Sequence, residues 1–169
     1  MQYKTAGAHT SGRIRLLLLS ALILLGSGTG CMLLGKRADR KNIVIPDRIW
    51  IVDDTPLTDK QIECLAGIGS LLIMVPGVSS GDFEDTCRFL EQVRVHSGHE
   101  RAVLYDWQPG SLGRKVVSPS ATEPAAERLI SLCAIAQKEG KARADIDLLA
   151  HSAGTVVVNK AAIEIVEAD

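Results

Sequence analysis

The chain has 169 residues, 46% of them apolar and only 4% aromatic, which leaves room for one domain whose core rests on aliphatic side chains. Nineteen Lys plus Arg stand against twenty Asp plus Glu without a long block of either sign, which excludes the basic face of a nucleic-acid-binding protein. No internal repeat is evident and no cysteine spacing suits a metal, so neither a metal nor another cofactor is expected.

Lys4, Arg13 and Arg15 precede an apolar stretch, Leu16 to Leu25, broken only by Ser20; Gly26-Ser27-Gly28-Thr29-Gly30 then leads to Cys31. That is the layout of an export signal. Small residues directly before a cysteine resemble a bacterial lipobox, which implies cleavage before Cys31 and lipid attachment to its thiol. The pattern departs from the usual one at Gly28, where an aliphatic residue is customary. A second reading keeps Leu16 to Leu34 as an uncleaved anchor helix of about the minimum spanning length. Lys36, Arg37, Arg40 and Lys41 directly downstream favour that anchor or an inverted orientation. In each reading residues 1–31 meet a membrane, residues 32–42 are a basic, polar linker and residues 43–169 hold the domain, which places the protein in the cell envelope. Without Cys31, the remaining Cys64, Cys87 and Cys133 form an odd, irregularly spaced set. Cys87 and Cys133 fall on apolar helix faces and read as buried, inert thiols.

Strand signals follow at Ile43 to Ile45 and Ile49 to Val52, separated by the turn-forming pair Pro46-Asp47, and suit the leading antiparallel strands of a mixed sheet. Thr58 to Ile68 suits a short helix capped by Thr58 or Asp59. The continuous apolar run Ser70 to Val75, stopped by Pro76-Gly77, suits a strand buried on both faces. Asp82 is a candidate N-cap for a helix in which Phe83, Cys87, Leu90 and Val93 recur at helical spacing, ending near Ser97-Gly98. Arg101 to Tyr105 reads as the next strand, closed by Asp106-Trp107-Gln108-Pro109-Gly110. Thr122 then caps a helix with Leu129, Leu132, Cys133 and Ala136 on one face, ended by Gly140. A final strand over Ile146 to Ala150 and a helix over Thr155 to Val166 complete the alternation of a mostly parallel α/β sheet with right-handed crossovers.

The chemistry sits at the last strand-to-helix junction, Leu148-Leu149-Ala150-His151-Ser152-Ala153-Gly154. A strand driving into small-x-Ser-x-Gly and out into a helix is the layout of a nucleophile elbow, with the Ser152 hydroxyl at the tip of a sharp turn. The helix N-terminus favours developing negative charge there, and the Ala153 amide is the expected first oxyanion donor. Small residues at Ala150 and Gly154 allow strand and helix to pack across the turn. The second donor is expected from Pro76-Gly77-Val78-Ser79, where Gly77 lets the backbone approach a substrate oxygen and Val78 or Ser79 donates. Asp106 and Trp107 line the same rim, as a loop cap and a packing residue. His151, next to the nucleophile in sequence, reads as a turn residue and not as its base. His96 and His99 fall at the far end of a helix, away from the expected catalytic rim.

Taken together, the strand before Pro76-Gly77-Val78-Ser79, the strand ending Leu104-Tyr105-Asp106-Trp107-Gln108-Pro109-Gly110-Ser111 and the elbow around Ser152 resemble the N-terminal half of an α/β-hydrolase fold protein, over about Ile43 to Val166. The likeness is to bacterial esterase-like branches with a His-Gly oxyanion loop and a Trp-Pro-x-Gly turn. It implies a truncated three-layer sandwich of mostly parallel sheet and flanking helices, preceded by the N-terminal apolar signal or anchor helix, and a serine esterase or lipase acting on a small ester. Three positions depart from the pattern: Pro76 stands for the usual histidine, Ala150 for the first glycine, and no triad histidine or acid follows Ser152 apart from Asp169 and two glutamates. The expected function is therefore a membrane-attached, exported hydrolase homologue with negligible turnover in this chain. The alternative is a non-catalytic lipoprotein that uses the scaffold for binding, and acyl transfer to an acceptor other than water is a third reading.

Overall fold

The computed structural model describes residues 14–18, 45–77, 83–107, 118–137 and 144–168. Five strands, β1 (Ile14–Leu18), β2 (Ile49–Val52), β3 (Ser70–Val75), β4 (Arg101–Tyr105) and β5 (Asp145–Ala150), form one sheet in the order β1-β5-β3-β4-β2. Every neighbouring pair is parallel. Four helices are interleaved: α1 (Asp59–Ala66), α2 (Phe83–Ser97), α3 (Pro119–Ala136) and α4 (Gly154–Ala168).

Both faces of the sheet are covered, which explains why its central strand β3 reads as an unbroken apolar run. Successive side chains alternate between faces. Leu71, Ile73 and Val75 of β3 and Ile146, Leu148 and Ala150 of β5 pack with Leu65 of α1, Leu129 and Leu132 of α3 and Val157 and Val158 of α4. Leu72 and Met74 of β3 and Leu149 of β5 join Cys87 and Leu90 of α2 on the opposite face. Cys87 and Cys133 are buried, as expected, and burial pushes the Cys133 thiol up to about 12; Cys64 is exposed, and none of the three is in a disulfide.

Local signals set the helix ends. Thr58 caps α1 through a reciprocal pair: the Gln61 amide donates to Thr58 Oγ1 at 3.3 Å, and the Thr58 amide donates to Gln61 Oε1 at 2.8 Å. Helix α2 stops where Gly98 turns to a φ of +76° and the His99 amide reaches back to the Arg94 carbonyl at 3.1 Å. There Ser97 Oγ lies 2.6 Å from His99 Nδ1, and His99 Nε2 lies 3.3 Å from the Asp147 carboxylate on β5, so the helix end is fastened to the sheet.

Four expectations change. Ile49–Val52 is not an antiparallel leading strand: β2 pairs in parallel with β4, Ile49 beside Ala102 and Val52 beside Tyr105, while Ile45 lies outside any strand. Its partner is far along the chain, and the Pro46-Asp47 turn is satisfied instead by the Ile49 amide bonding the Pro46 carbonyl at 2.9 Å. Helix α3 starts at Pro119 after Ser118, not at Thr122, whose hydroxyl turns back to the Ser118 carbonyl at 3.1 Å inside the helix. The apolar N-terminal segment is a strand and not a helix over Ile14–Leu18, and it pairs with β5 from Ile14 beside Ile146 to Leu18 beside Ala150, so the outer edge of β5 is covered. Among the described residues, no helix is long and apolar enough to cross a membrane. Finally, α3 ends at Ala136 with Gln137 as its cap; Asp82, Gly140, Cys31, Val78 and Ser79 lie outside the described residues.

Candidate active site

At the C-terminal end of β5 the backbone turns through His151, Ser152 and Ala153 and enters α4 at Gly154. Ser152 has a φ of +52° and is the only non-glycine residue with positive φ among the described residues. A serine in this region costs on the order of 1–3 kcal/mol and persists only where its surroundings force it. They do so here from both sides. The His151 amide bonds the Val75 carbonyl at 3.2 Å, the Gly154 amide bonds the His151 carbonyl at 3.0 Å, and the Ser152 carbonyl accepts from the Thr155 amide at 3.0 Å and from Thr155 Oγ1 at 2.6 Å.

Two glycines make the turn sterically possible. A Cβ on Gly154 would stand 2.1 Å from the Val75 carbonyl oxygen and 2.8 Å from that of Pro76, both backbone atoms. A Cβ on Gly77 would stand 2.6 Å from Ser152 Cβ and 3.1 Å from its Oγ. The segment leaving β3 therefore lies directly against the serine. It is anchored from just past the end of β4 by Trp107, whose buried indole Nε1–H donates to the Pro76 carbonyl at 2.8 Å.

The expected site residues thus divide. Ser152, Ala153 and Gly77 are brought together at one end of the sheet. Ser152 is exposed, and its hydroxyl has no hydrogen-bond partner among the described residues. Among the described residues neither the Gly77 nor the Ala153 backbone N–H has a hydrogen-bond acceptor. His99 and Asp147 sit near the starts of β4 and β5, at the opposite edge, and cannot serve Ser152. A cavity of about 450 Å³ lies elsewhere too, between β2 and α1, lined by Ile49, Trp50, Leu57 and Cys64. It is three strands from Ser152 and is not its ester pocket. Among the described residues there is no cluster that suits a metal ion.

Two features of the same rim escape sequence reading. Tyr105, fully buried at the end of β4, donates to Asp54 Oδ1 at 2.8 Å, and Arg128 of α3 donates to the Thr55 carbonyl at 2.6 Å. Burial first and the Asp54 carboxylate second push the Tyr105 phenol well up. These bonds tie the segment after β2 to β4 and α3. An Asp-Asp pair after an apolar strand is the sequence signal, but Tyr105 lies 51 residues from Asp54 and Arg128 lies 73 residues from Thr55.

No protein-family model matches the chain, and neither a curated protein nor a solved structure matches it.

Proposed function

We propose that Ser152 is the nucleophile of a serine-hydrolase site for small carboxylic esters, carried on an α/β-hydrolase-like scaffold that the N-terminal segment and Cys31 attach to the cell envelope. One observation supports this above the others: the strained φ of +52° at a serine between a parallel strand and a helix, with Gly77 packed against it. In the reaction, Ser152 Oγ gives its proton to a base as the Oγ–C bond forms, and the carbonyl oxygen becomes an oxyanion facing the Ala153 and Gly77 amides. Collapse breaks the C–O bond to the alcohol, which leaves with the proton, and water then releases the acid from the acyl-serine.

No described residue stands as the base, and loss of a triad member costs about 10⁴- to 10⁶-fold in rate. Turnover by this chain alone is accordingly negligible, which also favours the second reading of a non-catalytic scaffold. Supplying the base from solution separates the two. With p-nitrophenyl acetate and imidazole, mass spectrometry of the peptide containing Ser152 should show imidazole-dependent acetylation well above that of other serines, and Ser152→Ala should lose it. Acetyl spread evenly over surface nucleophiles would overturn the proposal in favour of the scaffold, and fast turnover without imidazole would overturn the missing base.

A further inference from the structure

We infer that Trp107 is a positioning residue for this site, acting through the Pro76–Gly77 peptide to aim the oxyanion-binding backbone at Ser152. The inference rests on the proposed role of Ser152. Three observations carry it. The Trp107 indole N–H holds the Pro76 carbonyl at 2.8 Å, in a bond buried from solvent. The next residue, Gly77, lies so close to Ser152 that a single added carbon would stand 2.6 Å from its Cβ. And the Gly77 amide has no partner among the described residues.

A trans peptide is a rigid plate in which C=O and N–H point in opposite directions; no described peptide bond is cis. Fixing the Pro76 carbonyl on Trp107 therefore fixes the direction of the Gly77 N–H and the exit of the loop that follows. Glycine has no Cβ to resist rotation of that plate, and proline cannot donate a bond of its own. The other restraints on this segment act elsewhere: the His151 amide grips the preceding carbonyl of Val75, and Gly154 only fits beneath the Pro76 oxygen. Trp107 is the one described side chain that bonds the plate itself. It stands two residues past the end of β4, a different strand from either β3 or β5, so it registers the oxyanion side of the site against the sheet. Its ring is also part of the same core cluster as Val75 and Ala126, a membership that the ring of phenylalanine would keep.

The test is Trp107→Phe, which removes the donor and keeps an aromatic ring. In the imidazole-assisted reaction the rate of Ser152 acetylation should fall about 10- to 100-fold, the scale of misplaced or lost oxyanion donors. The ester concentration giving half-saturation should stay unchanged, a split that simple loss of packing would not produce. Adding Trp107→Phe to Gly77→Ala should cost little beyond Gly77→Ala alone, because both act on one peptide. Acetylation of Trp107→Phe at the wild-type rate, or additive effects in the double variant, would overturn the inference while leaving the role of Ser152 intact. No Ser152 acetylation in the wild type would instead overturn the role of Ser152. Should Trp107→Phe fail to fold, the wild type decides: a boronic acid bound at Ser152 should shift the Trp107 indole N–H resonance, assigned with Trp50→Phe, and an unmoved resonance would refute the coupling.

Discussion

Gly77 and Ser152 are packed so tightly that the space for a methyl group on one is already filled by the side chain of the other, with 2.6 Å between the two Cβ positions. Gly77→Ala should therefore push the loop after β3 away from the serine. Overpacking of this kind costs about 1–3 kcal/mol. Urea melts should register that loss, and imidazole-assisted acetylation of Ser152 should fall by more than the melts imply. An alanine variant with unchanged stability and unchanged acetylation would show that the contact is slack.

The backbone at Ser152 makes activity and stability pull apart. Glycine accepts a φ of +52° freely whereas alanine does not. Ser152→Gly should be more stable than Ser152→Ala by about 1 kcal/mol, after allowing for the greater freedom of glycine in the unfolded chain. Neither variant can be acylated at this position. Equal melting midpoints for the two would contradict a forced turn.

His99 should matter for stability and not for chemistry. Its ring sits between Ser97 Oγ at 2.6 Å and the Asp147 carboxylate at 3.3 Å, and the residue is buried. His99→Ala leaves a largely buried carboxylate without that partner and opens a void, at a cost of about 1–3 kcal/mol. Acetylation of Ser152, at the other end of the strands, should be unaffected in the folded variant. A matching loss of acetylation would reassign this histidine to the site.

Tyr105 predicts an alkaline limit. Burial, followed by its bond to Asp54, raises its phenol above the ordinary value of 10.0. A group whose folded value is raised contributes stability that is complete below its unfolded value and is lost as pH climbs above it. Wild-type stability should therefore decline above about pH 10. Tyr105→Phe should be less stable at neutral pH by about 1 kcal/mol through loss of the hydrogen bond, and it should show a flatter alkaline profile. Parallel profiles for the two proteins would remove Tyr105 from the account.

What could be read in advance follows the range of the interactions. An unbroken apolar run disclosed β3, and shorter runs, Ala102 to Tyr105 and Leu148 to Ala150, disclosed β4 and β5, because strands covered on both faces need no alternation; Thr58, one of two candidate caps, marked the start of α1. The start of α3 was misplaced because Thr122 and Ser118 are both plausible caps, and Pro119 at the first helical position decides between them. Strand direction was not legible for β2, since its neighbour β4 lies beyond three other elements and a local turn imitated a hairpin. The elbow was legible because its small residues cluster around one serine. The brace from Trp107 to Pro76 spans 31 residues and leaves no local signature.

The pairing of Ile14–Leu18 with β5 gives three leucines, Leu16 to Leu18, two competing destinations. The same residues begin the stretch that, in the proposed reading, would engage an export channel or a bilayer, and one backbone segment cannot lie in lipid and in a β-ladder at once. Removal of everything before Cys31 would strip this border from the sheet and leave the strand that delivers Ser152 as its outermost member. Maturation at the membrane would then be a change of architecture as well as of address.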